Sequence, residues 1–370
     1  MLNKFLKTDW ILICAALLLM GISMAVLYSI SMSTANEGGL NIFWRQFIFL
    51  VIGLVFMFVF SKISYQTLKL HSSVIYFSTL FILLGVLIFG RTIRGTAGWI
   101  GVGSFHVQPV EIAKLSLIIF LASFISQKKM ELEETGRLIA SLVLAGLMIF
   151  LVVKQPDFGS AMVLIGIWLG TTLVSGISLK KIIVMIFLGL SISFVGWFIL
   201  KPYQKDRVLS LVHPEKIDPR GAGYNVIQAM IAVGSGGLMG EGIGHGSQSQ
   251  LNFLPEKHTD FIFASIAEEL GLFGSLLVIG LYLVMFYRMR IIAINAPDNF
   301  SYLVTVGIMV MFFVQILENI GMNIGIMPVT GIPLPFLSYG GSSLIMVLAS
   351  VGILNNIYSH QETSVNRENY

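Results

Sequence analysis

Long hydrophobic runs, separated by short polar segments, repeat along the whole chain. A helix that crosses a membrane needs roughly 20 predominantly apolar residues. A search for such windows predicts ten membrane-spanning helices, near residues 9–31, 42–60, 73–90, 109–127, 136–153, 158–175, 181–200, 261–287, 300–322 and 341–358. The sixth is the weakest, because Gly166, Gly170, Thr171 and Thr172 dilute its apolar character.

Composition supports this reading of the pattern. Of the 370 residues, 56% are hydrophobic and only 11% are charged, against roughly 25% charged in a soluble domain. We therefore expect an all-α polytopic integral membrane protein, with one ten-span domain over residues 1–370 and no nucleic-acid partner. The one cysteine, Cys14, excludes a disulfide within the chain and a Cys/His metal cluster.

Lysine and arginine fall unequally on the two sides of the predicted spans. The N-terminus, the loops after spans 2, 4, 6 and 8 with their flanks, and the C-terminal tail carry twelve of them, and the short loops on the other side carry three. Because cytoplasmic loops are enriched in these residues, both termini are predicted to be cytoplasmic. The long segment 201–260, between spans 7 and 8, then lies outside.

Glycine or proline in two segments of the predicted outer face indicates irregular backbone. The glycine run GSGGLMGEGIGHG (234–246) lacks the spacing of a nucleotide-binding loop. It fits a compact loop with positive φ angles, or backbone amides that help to hold a phosphate. In TGIPLPFLSYGGSS (330–343), Pro333 and Pro335 prevent a regular helix. That segment is either a re-entrant loop that lines a cavity or an ordinary surface loop.

Ionisable residues inside the spans are costly and therefore informative. Glu111 and Lys114 share a helix face, since they are three residues apart, and form either a structural pair or the lining of a polar cavity. Glu268 and Glu269 are adjacent, so their side chains diverge by about 100°. We expect only one of them to face a cavity or to pair with a basic group such as Arg45. Glu318 is the remaining ionisable residue of this kind.

Several outer loops add further polar candidates. Asp157, in KQPDFGS, is placed to cap the sixth span, and Trp99 and His106 are placed as interfacial anchors. The loops 91–109, 154–157, 201–260 and 323–341 all lie on one predicted face. We therefore expect the chemistry or recognition on the extracytoplasmic side.

Long motifs give the chain a family resemblance. FLPEKHTDFIFASIAEELG (253–271), GAGYNVIQAMIAVGSGGLMGEG (221–242), VQPVEIAK (107–114), KQPDFGSA (154–161) and PLPFLSYGGSS (333–343) resemble the SEDS family (shape, elongation, division, sporulation) in order along nearly the whole chain. HGSQSQLNFLPEKHTDF (245–261) is more similar to the rod-elongation branch than to the division branch.

The resemblance implies a multi-pass protein of the bacterial cytoplasmic membrane with ten spans. Its implied activity is a peptidoglycan glycosyltransferase that polymerises lipid II outside that membrane for cell elongation and rod shape. The implied partners are a class B penicillin-binding protein, which is a transpeptidase, and other proteins of the elongation machinery. Asp260 matches the family's catalytic aspartate, and Trp99, Glu111, Lys114 and Asp157 match positions on which activity depends.

The expected chemistry needs one base and positive charge. Asp260 would take the proton of the acceptor 4-hydroxyl as that oxygen attacks the donor sugar. Undecaprenyl diphosphate is a good leaving group and needs cations rather than an acid. The candidate cations are Lys114, Lys201, Lys205, Arg207, Arg220 and Lys257. A divalent cation, Mg²⁺ or Mn²⁺, is a further candidate for this task, without ligands assignable from the sequence.

Two rival functions fit parts of the pattern. Charged residues in the spans and broken backbone suit a flippase or transporter of lipid-linked precursors. The one-sided clustering of the polar motifs argues against it. A non-catalytic scaffold for a transpeptidase is the second rival, and it predicts that Asp260 and Lys114 are dispensable.

Overall fold

The computed structural model describes residues 8–33, 40–93, 96–102, 105–127, 134–199, 205, 209 and 222–365. The long helices are α1 Trp10–Ser33, α2 Leu40–Lys62, α4 Ser72–Phe89, α5 Pro109–Ser126, α6 Glu134–Lys154, α7 Phe158–Val174, α8 Leu179–Ile199, α11 Ile262–Ile294, α12 Asn299–Asn323 and α13 Gly341–Val365. The shorter helices are α3 Tyr65–Leu70, α9 Ala222–Ser235 and α10 Ser247–Gln250.

Each of the ten predicted spans corresponds to one of the long helices. Within the described residues, eight helices are long and apolar enough to cross a membrane, and α7 is a shorter apolar helix. The seventh predicted span coincides with α8, which has 21 residues. The predicted polytopic helical fold is confirmed, and the orientation of the termini stays a prediction.

A small antiparallel sheet joins α4 to α5. Its strands are β1 Arg91–Ile93, β2 Thr96–Val102 and β3 Phe105–Val107, in the order β1-β2-β3. This stretch was predicted as loop, because β1 and β3 are too short to show a period of two and β2 contains two glycines. The sheet is tied to the bundle where the Ala97 N–H donates to the carbonyl of Gln155, 3.2 Å away.

Glycines bring α7 and α12 unusually close. A Cβ added at Gly166 would lie 2.7 Å from Val314, and one added at Gly170 would lie 2.5 Å from Val310. Small residues four apart allow membrane helices to approach closely. The residues that weakened the sixth span as a hydropathy signal are therefore the ones that pack it.

The glycine run, residues 234–246, forms a compact loop that packs against a kink in α11. Gly237, Gly240, Gly242 and Gly244 all have positive φ, and so does Gly271 within the helix. At that kink the N–H of Leu272 donates to the carbonyl of Gly237, 2.9 Å away. The compact-loop interpretation is confirmed, because the loop supplies the acceptor that the kinked helix lacks.

An ion pair joins α11 to the residue before α1, near the C-terminal end of α11. Arg288, near the end of α11, donates from Nε to both carboxylate oxygens of Asp9, at 3.1 and 2.9 Å. The Asp9 N–H donates to Asn355 Oδ1 at 2.9 Å, which adds α13 to the contact. These residues lie about 40 Å along α11 from its start, at 1.5 Å per residue. They fix the frame and are remote from residue 260.

Candidate functional site

Asp260 lies immediately before α11, and two asparagines of α12 hold its backbone. The side-chain amides of Asn319 and Asn323 both donate to the Asp260 carbonyl, each at 3.0 Å. Asn323 Oδ1 also accepts from the N–H of Ala264, 2.9 Å away. Both asparagines are buried, so this anchor is dry and leaves little freedom to the start of the helix.

A buried, non-helical loop covers the other side of Asp260. Ser338 Oγ donates to the Thr259 carbonyl at 2.6 Å, and the Tyr339 N–H donates to the His258 carbonyl at 2.8 Å. A Cβ added at Gly331 would lie 3.4 Å from Asp260 Oδ2, so the carboxylate lies against this loop. The loop is not an ordinary surface loop, since its residues Ile332, Leu334, Phe336 and Leu337 are at most 2% exposed.

Glu111 and Lys114 form the predicted pair. Lys114 Nζ lies 2.8 Å from Glu111 Oε1, and the two side chains are 0% and 3% exposed. Burial at this depth requires each charge to have its partner, because an isolated ion would lose several kcal/mol of solvation. The pair lies in the first two turns of α5, among helices rather than in solvent.

Glu318 joins this pair to the loop beside Asp260. Its carboxylate interacts electrostatically with Lys114 and with Asp157, and it lies next to Thr330. Thr330 immediately precedes Gly331 in the chain, so this contact brings the cluster to the loop that touches Asp260. Lys114 and Asp157 both contribute to the electrostatic environment of Glu318, and Lys114 makes its ion pair with Glu111.

Asp157 has the capping role that its position predicted. Its Oδ1 accepts from the Ser160 N–H at 3.0 Å, at the start of α7. Its Oδ2 accepts from Gln108 Nε2 at 3.2 Å, and the Gln108 N–H donates to Ser342 Oγ at 3.1 Å. The cap thus also ties α7 to the residue before α5 and to the start of α13.

Three other predicted residues are not drawn into this cluster, and a fourth lies outside the described residues. Lys257 is buried, and its ammonium donates to the Ser249 carbonyl and, at 2.7 Å, to Asn252 Oδ1. Burial lowers the pKa of Lys257, and the nearby Glu268 and Glu269 oppose that effect. Arg45 is exposed on α2, Trp99 is half-buried in β2, and Arg207 lies outside the described residues.

The adjacent glutamates of α11 do not divide as expected. Glu268 accepts from the N–H groups of Gln248 and Ser249, at 2.6 and 3.0 Å. Glu269 accepts from Ser29 Oγ at 2.5 Å and from Gln250 Nε2 at 3.2 Å. The pairing with Arg45 is not observed within the described residues, since both carboxylates accept from neutral donors and Arg45 is exposed on α2. The loop curves around the helix and supplies donors to both.

The sequence analysis did not single out Asn319 and Asn323. Their signal was available, because polar residues four apart on an apolar span share one helix face. Their role could be identified only from the fold, since the Asp260 carbonyl lies 59 residues before Asn319 and 63 residues before Asn323.

The sequence of the chain is similar to those of other proteins over nearly its full length. Residues 9–363 match the family of cell cycle proteins FtsW, RodA and SpoVE. The chain is 38% identical over 363 residues to stage V sporulation protein E of Bacillus subtilis strain 168, which covers 96% of this chain and 98% of that protein. It is 37% identical over 365 residues to peptidoglycan glycosyltransferase MrdB of Escherichia coli K12, with 97% and 98% covered.

Solved structures share the fold. The chain resembles a protein in a peptidoglycan synthase complex that coordinates polymerization and crosslinking, with a TM-score of 0.81, 29% identity and coverage of 96% and 98%. It also resembles the rod shape determining protein RodA of Thermus thermophilus, with a TM-score of 0.71, 26% identity and coverage of 96% and 97%. The sequence matches and the structural matches both extend over almost the whole chain. The chain belongs to the SEDS family of FtsW, RodA and SpoVE.

Proposed function

We propose that the chain polymerises lipid II into glycan strands on the outer face of the bacterial cytoplasmic membrane, in the service of cell elongation. Glycosyltransferase activity is supported by relatives that bear that name, among them MrdB at 37% identity and RodA of Treponema pallidum at 31%. Elongation is the finer part of the proposal. It rests on the motif 245–261 and on the similarity to RodA structures.

The observation that carries the proposal is the setting of Asp260. Its backbone is held by two buried amides, while its side chain is only partly buried and lies against the loop of residues 330–343. Asp260 follows a polar loop and precedes a long apolar helix. A lipid-linked sugar divides at such a boundary, with its tail in hydrocarbon and its sugars in water.

The reaction assigns one proton to Asp260. The acceptor 4-hydroxyl gives its proton to the Asp260 carboxylate as its oxygen bonds to the donor's anomeric carbon. The bond from that carbon to the diphosphate oxygen breaks, and the electron pair leaves with undecaprenyl diphosphate. A glycosidase needs a second carboxyl group to protonate an alkoxide, and this leaving group does not.

Positive charge for the diphosphate is the less specified part. Lys114 is the buried cation of the cluster, and it is already paired with Glu111. The expected Mg²⁺ or Mn²⁺ finds no protein ligand set in the described ranges, where no three His, Cys, Asp or Glu residues could hold a metal ion. No step is therefore assigned to a divalent cation.

The proposed partner is a class B penicillin-binding protein. A protein with the same fold belongs to a synthase complex that couples polymerization to crosslinking. Crosslinking needs a transpeptidase, so a partner of that class would act on the strands that this chain makes.

A lipid II polymerisation assay in detergent tests the proposal. Purified protein should make glycan strands visible on a gel, more of them with its cognate class B partner. The assay also distinguishes the two rival functions. A flippase moves its substrate across a bilayer, which detergent removes, and a scaffold makes no product. If no strands form with or without the partner, the chain is not a polymerase.

A further inference from the structure

Two large apolar side chains lie exposed at the tip of the glycine run. Leu238 is 63% exposed and Met239 is 77% exposed. Gly237 and Gly240, on either side of them, have positive φ, so the chain reverses its direction here. Adjacent exposed apolar side chains mark a contact with another molecule or with a membrane when they continue a larger apolar surface.

The tip lies well along α11 rather than beside the start of that helix. The N–H groups of Leu272 and Phe273 donate to the carbonyls of Gly237 and Leu238, at 2.9 and 3.3 Å. At 1.5 Å per residue, Leu272 lies about 15 Å along the helix axis from Ile262. The loop therefore descends along α11 before it turns back.

The exposed apolar face of α11 begins at the same level. The side chains from 261 to 269 are all buried within the protein. From Leu272 onward an apolar stripe is exposed, and it consists of Leu272, Phe273, Leu276, Leu277, Leu283 and Val284. Since α11 is long and apolar enough to cross a membrane, this stripe faces hydrocarbon. Leu238 adjoins the upper end of the stripe through its hydrogen bond to Phe273.

The backbone of the tip meets the condition for contact with hydrocarbon. Irregular backbone is tolerated at membrane depth only where its polar groups are paired. The Gly240 N–H donates to the Gly236 carbonyl at 2.7 Å, and the carbonyls of Gly237 and Leu238 are the acceptors for α11. A loop in water has no need of such pairing, because water supplies the hydrogen bonds.

The next charged residue limits the depth of the tip. Glu241 is exposed, and its N–H donates to the Glu268 carbonyl at 2.9 Å. Glu268 precedes Leu272 by about one helical turn, which is roughly 5.4 Å along the axis. The chain has therefore risen again by residue 241, and only the two apolar side chains reach the level of the exposed stripe.

We propose that residues 237–240 form a re-entrant tip that inserts Leu238 and Met239 into the membrane, at the hydrocarbon edge of the leaflet on the Asp260 side. The ligand class is the acyl chains of membrane lipid. The insertion does not depend on the proposed function. Because the loop packs against the kink of α11, the inserted tip fixes the height of the helix start, and so of Asp260, relative to the bilayer.

Fluorescence quenching at the tip tests the insertion. The full chain with Met239→Cys, in a Cys14→Ser background, is labelled with bimane in detergent and reconstituted in phosphatidylcholine vesicles. Lipids with a nitroxide near the headgroup end of the acyl chain should quench this label strongly. Aqueous iodide should quench it several-fold less than a label at His245→Cys. His245 is the matched control, since it is an exposed residue of the same loop beyond Glu241.

A second position keeps the test independent of one variant. Leu238→Cys should give the same pattern as Met239→Cys and replaces it if that variant does not fold. Equal iodide quenching at 239 and 245, without nitroxide quenching at 239, would overturn the proposal. A label at 239 that iodide reaches in the protein alone, and that only an added class B partner protects, would also overturn it, because the tip would then be a protein contact. Glycan synthesis is not part of the readout, so the insertion and the proposed function fail separately.

Discussion

At the scale of single residues, two side-chain amides hold the backbone of Asp260. Asn319 and Asn323 converge on one carbonyl, and Asn319 also donates to the Ile332 carbonyl at 2.8 Å. Asn319 therefore connects the start of α11 to the loop that touches the carboxylate. These contacts fix the backbone from which the proposed base extends.

Removing one amide tests that anchor. Asn323→Ala leaves the buried N–H of Ala264 without an acceptor, which should lower the free energy of unfolding by about 2 kcal/mol. Polymerisation should slow as well, because Asp260 loses a backbone contact. The control is Asn295→Ala, whose exposed amide bonds the Ile291 carbonyl; we expect a change within about 0.5 kcal/mol. Equal effects of the two changes on unfolding and on rate would contradict the anchor.

Lys257 gives a pH test at the same scale. Its pKa is lowered from 10.5 by burial, so the folded protein releases this proton at a lower pH than the unfolded chain does. Between the lowered pKa and 10.5 the unfolded chain holds more protons, and stability contributed by this residue rises with pH. Below that window both states are charged, and the folded state bears the full cost of burial.

The measurement is thermal unfolding in detergent as a function of pH, for the wild type and Lys257→Met. The difference between the two proteins should shift in favour of the wild type as pH rises through that window. A difference that does not vary with pH would show that burial does not perturb this lysine.

At the scale of elements, the glycine loop and the kink of α11 are one unit. Gly236 lies so close to α11 that an added Cβ would be 1.9 Å from the carbonyl oxygen of Ala267. The carbonyls of Glu268 and Glu269 accept from the N–H groups of Glu241 and Gly242, at 2.9 and 3.0 Å. The loop therefore determines the direction of α11, the helix that begins two residues after Asp260.

Alanine substitutions separate this contact from helix propensity. Gly236→Ala forces backbone against backbone and should lower the free energy of unfolding by about 3 kcal/mol. Gly280→Ala is the control, because Gly280 lies within α11 and nothing is within 4 Å of the added Cβ. This change should leave the free energy of unfolding unchanged or raise it slightly. Thermal unfolding of both variants decides the matter. An unchanged midpoint for Gly236→Ala would show that the loop does not pack as described.

The sequence specified the elements better than their contacts. Apolar windows of membrane length predicted every long helix, because hydrocarbon permits few other structures. Asp157 as a cap and the glycine run as a compact loop followed from local chemistry, and both are observed. The three-stranded sheet was missed, since β1 and β3 have three residues each and β2 contains two glycines.

Contacts between distant elements were beyond the sequence. Glu111 and Lys114 could be paired because they are three residues apart on one helix. The relation of Glu318 to Lys114 depends on the close approach of α12 to its neighbours. No periodicity encodes that approach, and the two asparagines that hold Asp260 were missed for the same reason.

At the scale of the whole molecule, two ends of the bundle have different roles. One end holds Asp260, the buried loop and the polar cluster around Lys114. The other holds the ion pair of Asp9 and Arg288, which joins α1 to the far end of α11. This separation agrees with the proposed function, in which the chemistry takes place at one face of the membrane.

The most direct test of the account is lipid II polymerisation by purified Asp260→Asn, measured beside the wild type with the cognate class B partner present. Asparagine keeps the size of the side chain and removes the base. Glu241→Gln is the matched control, since Glu241 is an exposed carboxylate of the preceding loop that accepts from the Ser247 N–H. We predict no glycan strands from Asp260→Asn, with thermal unfolding unchanged, and wild-type product from Glu241→Gln. Strands made by Asp260→Asn at the wild-type rate would contradict the assignment of Asp260 as the base.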